Sequence, residues 1–438
     1  MRTFLVFTLC LITQFISAQK LSHIDGDVTI SLEDETIDAT YKITNLPIDT
    51  QTLSFRLNEY IKVDAIYLNG DRIASSKVPQ NCDDCLIYTV LVGCEIEINP
   101  QSELKIVTQG KFKTFKDARD AKRYKGQLVY SNGVLRAGNT DKWYPEIVNK
   151  SSNVSDYMNP FIYTYSITAN CDTCDKIYIG KGKPQPSGST FTNNNVEGDL
   201  ILLAGNLNYQ SGKYANYINV PEKDIPQLEA KFAKTRGFLE DLTQVTDNDK
   251  VVYAQISSPV YGNESTYNTI INTAQNVDSD KIDYAIKEGD AYYYLASNFK
   301  PENQLDKMLL QSLAKYVKLK YLKKYNPNQY NSINSFLTKN TAVSAASSGQ
   351  SRLQALLITP EQFVDLENAI GEAEMSRFIN NMFQNLKVGK RSLQALTDSM
   401  AQIENKNENF EKIEQDIVTQ FELRSTLMPA DEVLTGYY

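Results

Sequence analysis

The hydrophobic period of this chain changes partway along it. Asp27 to Leu32 alternates apolar and polar residues with period two, as a half-buried strand does. Leu53 to Leu57 repeats the pattern, and Val63 to Leu68 runs into Asn69-Gly70, a strong hairpin-turn dipeptide. Glu95 to Ile98, Leu104 to Thr108, Gln127 to Tyr130, Ile162 to Thr168, Lys176 to Ile179 and Leu200 to Leu203 read as further strands. Farther on, apolar residues fall three and four apart instead. Asp224 to Leu242 reads as a helix with Leu228, Phe232, Phe238 and Leu242 inward, and Lys250 to Ile256 as one more strand. From Asp278 the pattern is mostly helical, over Ile282 to Ala296, Glu302 to Lys324, Gln354 to Leu356, Phe363 to Ile370 and Arg377 to Leu386. Asn326-Pro327 stops the second of these, and Ala342 to Gly349 reads as a loop. The expected class is α+β with two domains. A β-rich sandwich or saddle spans residues 19–205, and a mainly helical part spans 206–438.

Residues 1–18 read as a secretory signal: Arg2, an apolar run from Thr3 to Ile16, then Ser17-Ala18 before Gln19. That run is too short for a stable membrane span, and no later segment is apolar enough. The expectation is a chain exported to a periplasm or beyond the cell, with no membrane span. The formal charge of −8 fits a soluble acidic protein. We find no basic run with interleaved aromatics, so nucleic acid is not an expected partner.

Two cysteine patches resemble each other, Asn81-Cys82-Asp83-Asp84-Cys85 and Asn170-Cys171-Asp172-Thr173-Cys174. Paired Cys-x-x-Cys units can hold a structural zinc, and export instead favours disulfides. Disulfides are the preferred reading for Cys82, Cys85, Cys171 and Cys174, with a structural metal left open. A redox role needs the motif to open a helix, whereas Cys174 leads into the strand-like Lys176 to Ile179. Cys94 is the odd, buried one.

The chain has one histidine in 438 residues, His23, expected in a fraying terminal stretch. Nucleophilic triads need a histidine base, and zinc hydrolases usually take imidazole ligands. Most hydrolytic chemistry is thereby excluded.

That exclusion meets a resemblance. Trp143-Tyr144-Pro145 looks like the Trp-Tyr-Pro in the β-rich first domain of gluzincin aminopeptidases, of the aminopeptidase N and leukotriene-A4-hydrolase kind. Tyr261-Gly262-Asn263-Glu264-Ser265 stands where that family carries Gly-x-Met-Glu-Asn, whose Glu grips the substrate amine. Gly262 or Glu264 can be matched. Gln311-Ser312-Leu313-Ala314 resembles the family's Glu-Gly-x-Ala, with Gln311 at the third zinc ligand. Counting back puts Tyr292 and Glu288 where the two histidines of His-Glu-x-x-His should be, and Gly289 where the general base should be. Ile370-Gly371-Glu372 resembles the later helical region, before which the family's transition-state tyrosine has no counterpart.

The resemblance implies a thermolysin-like, mainly helical C-terminal domain whose zinc motif is degenerate. Glu288, the Tyr292 phenol and the Gln311 amide make a poor zinc shell, so no zinc is expected at the peptidase site and no catalytic residue is assigned. The remaining cleft, with Gly262, Glu264, Glu288, Tyr292 and Gln311, is read as a vestigial site for a peptide or protein partner. Tyr292 to Tyr294 fit either a packed seam or a platform for an extended ligand. The alternative is a hydrolase with an altered site, whether aminopeptidase-like or using Glu264, Glu288 and Asp290 as a carboxylate pair.

Overall fold

The computed structural model describes residues 22–46, 52–79, 85–91, 99, 101–116, 124, 128–138, 141–148, 163–197, 200–246, 249–256, 264–265, 269–273, 293–295, 304–331, 360–388, 390, 392–404, 406–407 and 409–427. Period-two alternation builds the first half. A seven-stranded sheet runs in the order β15 (Ser189–Glu197), β13 (Tyr163–Cys171), β1 (Ser22–Ser31), β2 (Thr36–Thr44), β8 (Leu104–Lys111), β4 (Ile61–Leu68) and β5 (Asp71–Ile73). Alternate residues of β1 are buried, Ile24, Val28 and Ile30 among them, while Asp25, Asp27 and Thr29 face out. β4 and β5 pair through Asn69 and Gly70, both at positive φ (53° and 94°), as a two-residue hairpin demands.

A four-stranded antiparallel sheet runs β12 (Glu146–Val148), β3 (Thr52–Asn58), β7 (Cys85–Leu91) and β6 (Ser75–Pro79). Its inner face joins the seven-stranded sheet in one core that contains Phe55, Leu57, Ile106, Trp143 and Tyr163. A five-stranded sheet follows, in the order β14 (Lys176–Ile179), β16 (Leu202–Gly205), β11 (Val134–Ala137), β10 (Val129–Ser131) and β9 (Lys113–Thr114).

Two features depart from the sequence reading. His23 does not fray: it lies within β1, paired to Thr164 of β13 and Thr44 of β2. And Val251–Gln255, a strand as expected, is not isolated but belongs to a second five-stranded sheet. Its order is β17 (Tyr209–Ser211), β18 (Ala215–Ile218), β19 (Val251–Gln255), β21 (Thr269–Asn272) and β20 (Glu264–Ser265). β18, β19 and β21 are parallel, and β18 reaches β19 through helix α1 (Ile225–Thr243). The two faces of β19 explain its unbroken apolar sequence. Val251 and Tyr253 pack with Leu228 and Phe232 of α1. Val252 and Ala254 pack with Tyr178, Ile201 and Leu203 from the β14–β16 side. Tyr178 Oη lies 2.5 Å from Thr269 Oγ1, and both hydroxyls donate to the Gly180 carbonyl.

α1 ends on Gln244 in the left-handed region, its N–H bonded to the Glu240 carbonyl. Gly237 sits mid-helix, where glycine costs about 1 kcal/mol relative to alanine. A Cβ added there would meet nothing within 4 Å, so packing among the described residues does not demand a glycine.

The helical part comprises α2 (Gln304–Tyr325), α3 (Pro360–Ile370), α4 (Glu372–Lys387), α5 (Ser392–Ala401) and α6 (Phe410–Leu427). Its core joins Leu310, Leu313 and Val317 of α2 to Phe363, Phe378, Leu396 and Phe410. α2 stops before Asn326-Pro327 as expected, and residues 327–331 resume as helix. Glu95 to Ile98, Ile282 to Tyr292, Ala342 to Gly349, Gln354 to Leu356 and the signal-like residues 1–18 lie outside the described residues. No helix among the described residues is long and apolar enough to cross a membrane.

Candidate functional site

The residues that the sequence singles out fall on β20, on α2 and on segments outside the described residues. β20 is the edge strand of its sheet among the described residues, and Glu264 pairs with Ile271 of β21. β21 is held from beside by a fully buried amide: Asn272 Nδ2 donates to Tyr253 Oη at 2.7 Å. Burial pushes the Tyr253 phenol well above its ordinary range, against the opposing pull of that hydrogen bond. Gln311 lies on α2 between the buried Leu310 and Ser312. Gly262, Glu288 and Tyr292 lie outside the described residues. Of the five proposed cleft residues, then, the structure places Glu264 on a sheet edge and Gln311 on a helix.

Residues 293–295 are helical and settle the role of two tyrosines. Tyr293 is buried in the cluster between α1 and the parallel strands. Tyr294 joins the core of the helical part; its hydroxyl lies 2.9 Å from Thr243 Oγ1 and donates to the Val245 carbonyl. The buried Arg236 guanidinium sits 5.7 Å from the Tyr293 ring centroid and 5.3 Å from that of Tyr294. Both rings are consumed by packing against α1, so neither serves as a ligand platform. Arg236 escaped the sequence reading because a lysine- and arginine-bearing helix face reads as solvated; the tyrosine run facing it was the available signal.

α2 is anchored by a second polar group. Lys320 Nζ reaches Glu367 Oε1 of α3 at 3.0 Å and Glu372 Oε1 of α4 at 3.1 Å. Tyr316 Oη donates to Glu367 Oε2 at 2.7 Å. Burial, and then the Glu367 charge, drive the Tyr316 phenol far above its ordinary range. The Lys320 ammonium holds the Glu372 carboxyl below its usual value. Here Glu372, matched above to the family's later region, secures one helix to another.

The Trp143 segment is likewise architectural. Trp143 Nε1 donates to the Leu200 carbonyl at 2.8 Å, and the ring meets Tyr144 edge-on at 5.3 Å. Glu146 Oε2 faces Lys142 Nζ at 2.9 Å and its cross-strand neighbour Arg56 at 4.0 Å. Of the cysteines, Cys171 and Cys174 are joined as a disulfide where β13 turns toward β14, with Cα atoms 5.5 Å apart. Cys85 opens β7, and Cys82 and Cys94 lie outside the described residues.

The fit of a peptidase zinc can be judged on the donors present. The one imidazole belongs to His23, whose Nδ1 is 2.6 Å from Thr164 Oγ1 and whose Nε2 is 3.3 Å from Asp25 Oδ1. It is engaged along the β1–β13 pairing, whereas Gln311 stands in the helical part. By the resemblance Gln311 takes the place of a carboxylate ligand, and a carboxamide is a neutral donor. This donor set does not suit zinc, and no reaction step is derived through it.

No protein-family model matches the sequence, and no curated protein does. Solved structures do match. An M1 zinc metallopeptidase from Deinococcus radiodurans, solved as a mutant with a Tyr-Ser-Ala substrate, aligns over 92% of this chain and 94% of its own, at 12% identity and a TM-score of 0.54. The same enzyme without that substrate aligns over 92% and 93%, at 13% identity and 0.53. Yeast LTA4 hydrolase aligns over 90% of this chain and 66% of its own, at 12% identity and 0.54. This chain therefore has the aminopeptidase-like fold of the M1 zinc metallopeptidases and LTA4 hydrolase.

Proposed function

We propose that this protein is an exported, non-catalytic member of the aminopeptidase-fold group that binds a peptide or protein. The observation that carries the reading is the lone histidine. A chain with one imidazole cannot supply His-Glu-x-x-His, and that imidazole is engaged within the seven-stranded sheet at Thr164 and Asp25. Gly289 stands at the position of the general base and Gln311 at that of the third ligand. The aminopeptidase-like fold supports the reading of a retained cleft, and Glu264 lies on the edge strand β20 among the described residues. In this reading Glu264 receives a ligand's amine, and Glu288, Tyr292 and Gln311 line the cleft without metal. Export is supported by the Arg2-led apolar run and by the Cys171–Cys174 disulfide, and we assign Cys82–Cys85 the same linkage.

The test is zinc content of the purified chain, measured beside hydrolysis of chromogenic aminoacyl amides with added zinc. The expected result is no bound zinc and no turnover. One zinc per chain, lost together with turnover in Glu288→Ala or Gln311→Ala, would return the protein to the metallopeptidases. Zinc lost instead on Cys82→Ser would mean a structural cysteine site and leave the binding role standing.

A further inference from the structure

We propose that α1 and the end of α2 form a docking surface for an acidic peptide segment, centred on Tyr325. The inference rests on the binding role proposed above and names a partner chemistry for it. Lys315 to Tyr325 does interleave lysines with tyrosines, contrary to the sequence reading, and the fold divides the run. Tyr316, Lys318, Lys320 and Tyr321 turn inward, while Lys323, Lys324 and Tyr325 face out. Tyr325 is one of three large hydrophobic side chains exposed among the described residues, at 38%.

Its ring leans on the core, tilted against Tyr321 at 4.7 Å and edge-on to Phe238 of α1 at 6.1 Å. Two ammoniums are drawn to the same ring, Lys234 Nζ at 4.4 Å from the centroid and Lys324 Nζ at 5.3 Å. Among the described residues Lys234, Lys323 and Lys324 have no ion-pair partner. The carboxylate that feels Lys323 and Lys324 is Glu372, which is already bonded to Lys320. A protein with net charge −8 thus places two ammoniums at one exposed ring, with a third lysine, Lys323, exposed on the same helix end. Such an arrangement favours an anionic ligand with carboxylates for the lysines and aliphatic stems for the tyrosine face.

Gly237 gives a second, independent indication. It lies three residues after Lys234 and one before Phe238, and no described residue comes within 4 Å of a Cβ built there. A helix position with room for a Cβ that nonetheless carries glycine suits close approach by another backbone. The footprint is small for nucleic acid, which needs an extended basic stripe, and matches a short segment of polypeptide.

The experiment is fluorescence anisotropy of a labelled hexaglutamate peptide on the full chain at low ionic strength. We expect saturable binding that weakens as salt rises. Lys234→Gln with Lys324→Gln should weaken it about tenfold or more, while Lys62→Gln with Lys111→Gln, on the β-rich side, should not. Gly237→Ala should raise the melting temperature and weaken binding together. Equal binding by the Lys234/Lys324 variant, or no saturable binding, overturns the proposal. A DNA oligomer that competes as well as the peptide overturns the peptide assignment. Each of these failures is separate from the zinc and turnover measurements, which bear on the binding role itself.

Discussion

The two halves of this molecule each bury an ion cluster, and they do so differently. In the β-rich half, Glu146 lies between Lys142 and Arg56, and all three side chains are at least 85% buried. In the helical half, Lys320 joins Glu367, which is nearly buried, to Glu372, whose side chain is 78% exposed. The first cluster is closed by burial of all three side chains, and the loop beside it is tied by its own hydrogen bonds. Asn58 Nδ2 donates to the Asp141 carbonyl at 2.7 Å and Gly138 N to Asp141 Oδ2 at 2.6 Å. The second opens to water at one end. A closed cluster fixes a loop against a sheet. An open one pins three helices and leaves one charge adjustable.

The contrast predicts a ranking. Glu146→Gln should be the most damaging single change, because it strands two cations in a sealed site; about 3–5 kcal/mol of unfolding free energy should be lost in urea titration. A loss under about 1 kcal/mol would mean that water reaches the cluster. Lys320→Met comes next, with about 2–3 kcal/mol lost because Glu367 stays near-buried beside Tyr316, and Glu367→Met added to it should recover most of the loss.

A smaller effect is set by alkali. The Tyr316 phenol is raised by burial and by Glu367, so the unfolded chain releases this proton first. Stability present below the ordinary phenol value of about 10 is therefore lost as pH rises beyond it. Tyr316→Phe should flatten part of that decline. Tyr41 in the β-rich half, raised by burial alone, keeps its own share. Last is Glu372→Gln, which should cost less than about 1 kcal/mol because the carboxylate is exposed. Its folded-state pKa is lowered from 4.5, so its contribution is complete above that value and fades as pH falls through the lowered one. Glu372→Gln should remove this acid-side slope and little else.

The fold was legible wherever one face met water. β1 alternates cleanly because its other face is solvated, and Asn69-Gly70 announced its hairpin. β19 hid its neighbours because it is buried on both faces, so Val251 to Ala254 showed no period and the sheet around it went unread. α6 had a usable signal in Phe410, Ile413 and Ile417, spaced three and four apart, that the sequence reading passed over. His23 was misjudged because parallel pairing of β1 with β13 spans 141 residues in sequence, and no local pattern reports it. The site was legible mostly through resemblance. Composition alone identified the missing histidines. It gave no sign that Tyr293 and Tyr294 are held inward by Arg236, a contact made only by tertiary packing.

The seam at Gly180 bears on whether the halves can live apart. Val134, Tyr178, Ile201 and Leu203 on one side, and Ile218, Val252, Ala254 and Ile271 on the other, form one apolar cluster. The Gly180 carbonyl closes it by taking a hydroxyl from each side, Tyr178 and Thr269. Cutting the chain between β16 and β17 would respect every strand and still lay that cluster open to solvent on both fragments. Each fragment would then carry a sticky apolar face; the Gly180 carbonyl would keep Tyr178 but lose Thr269, whose hydroxyl would be parted from both partners. The chain has a boundary in its topology there, and none in its solubility.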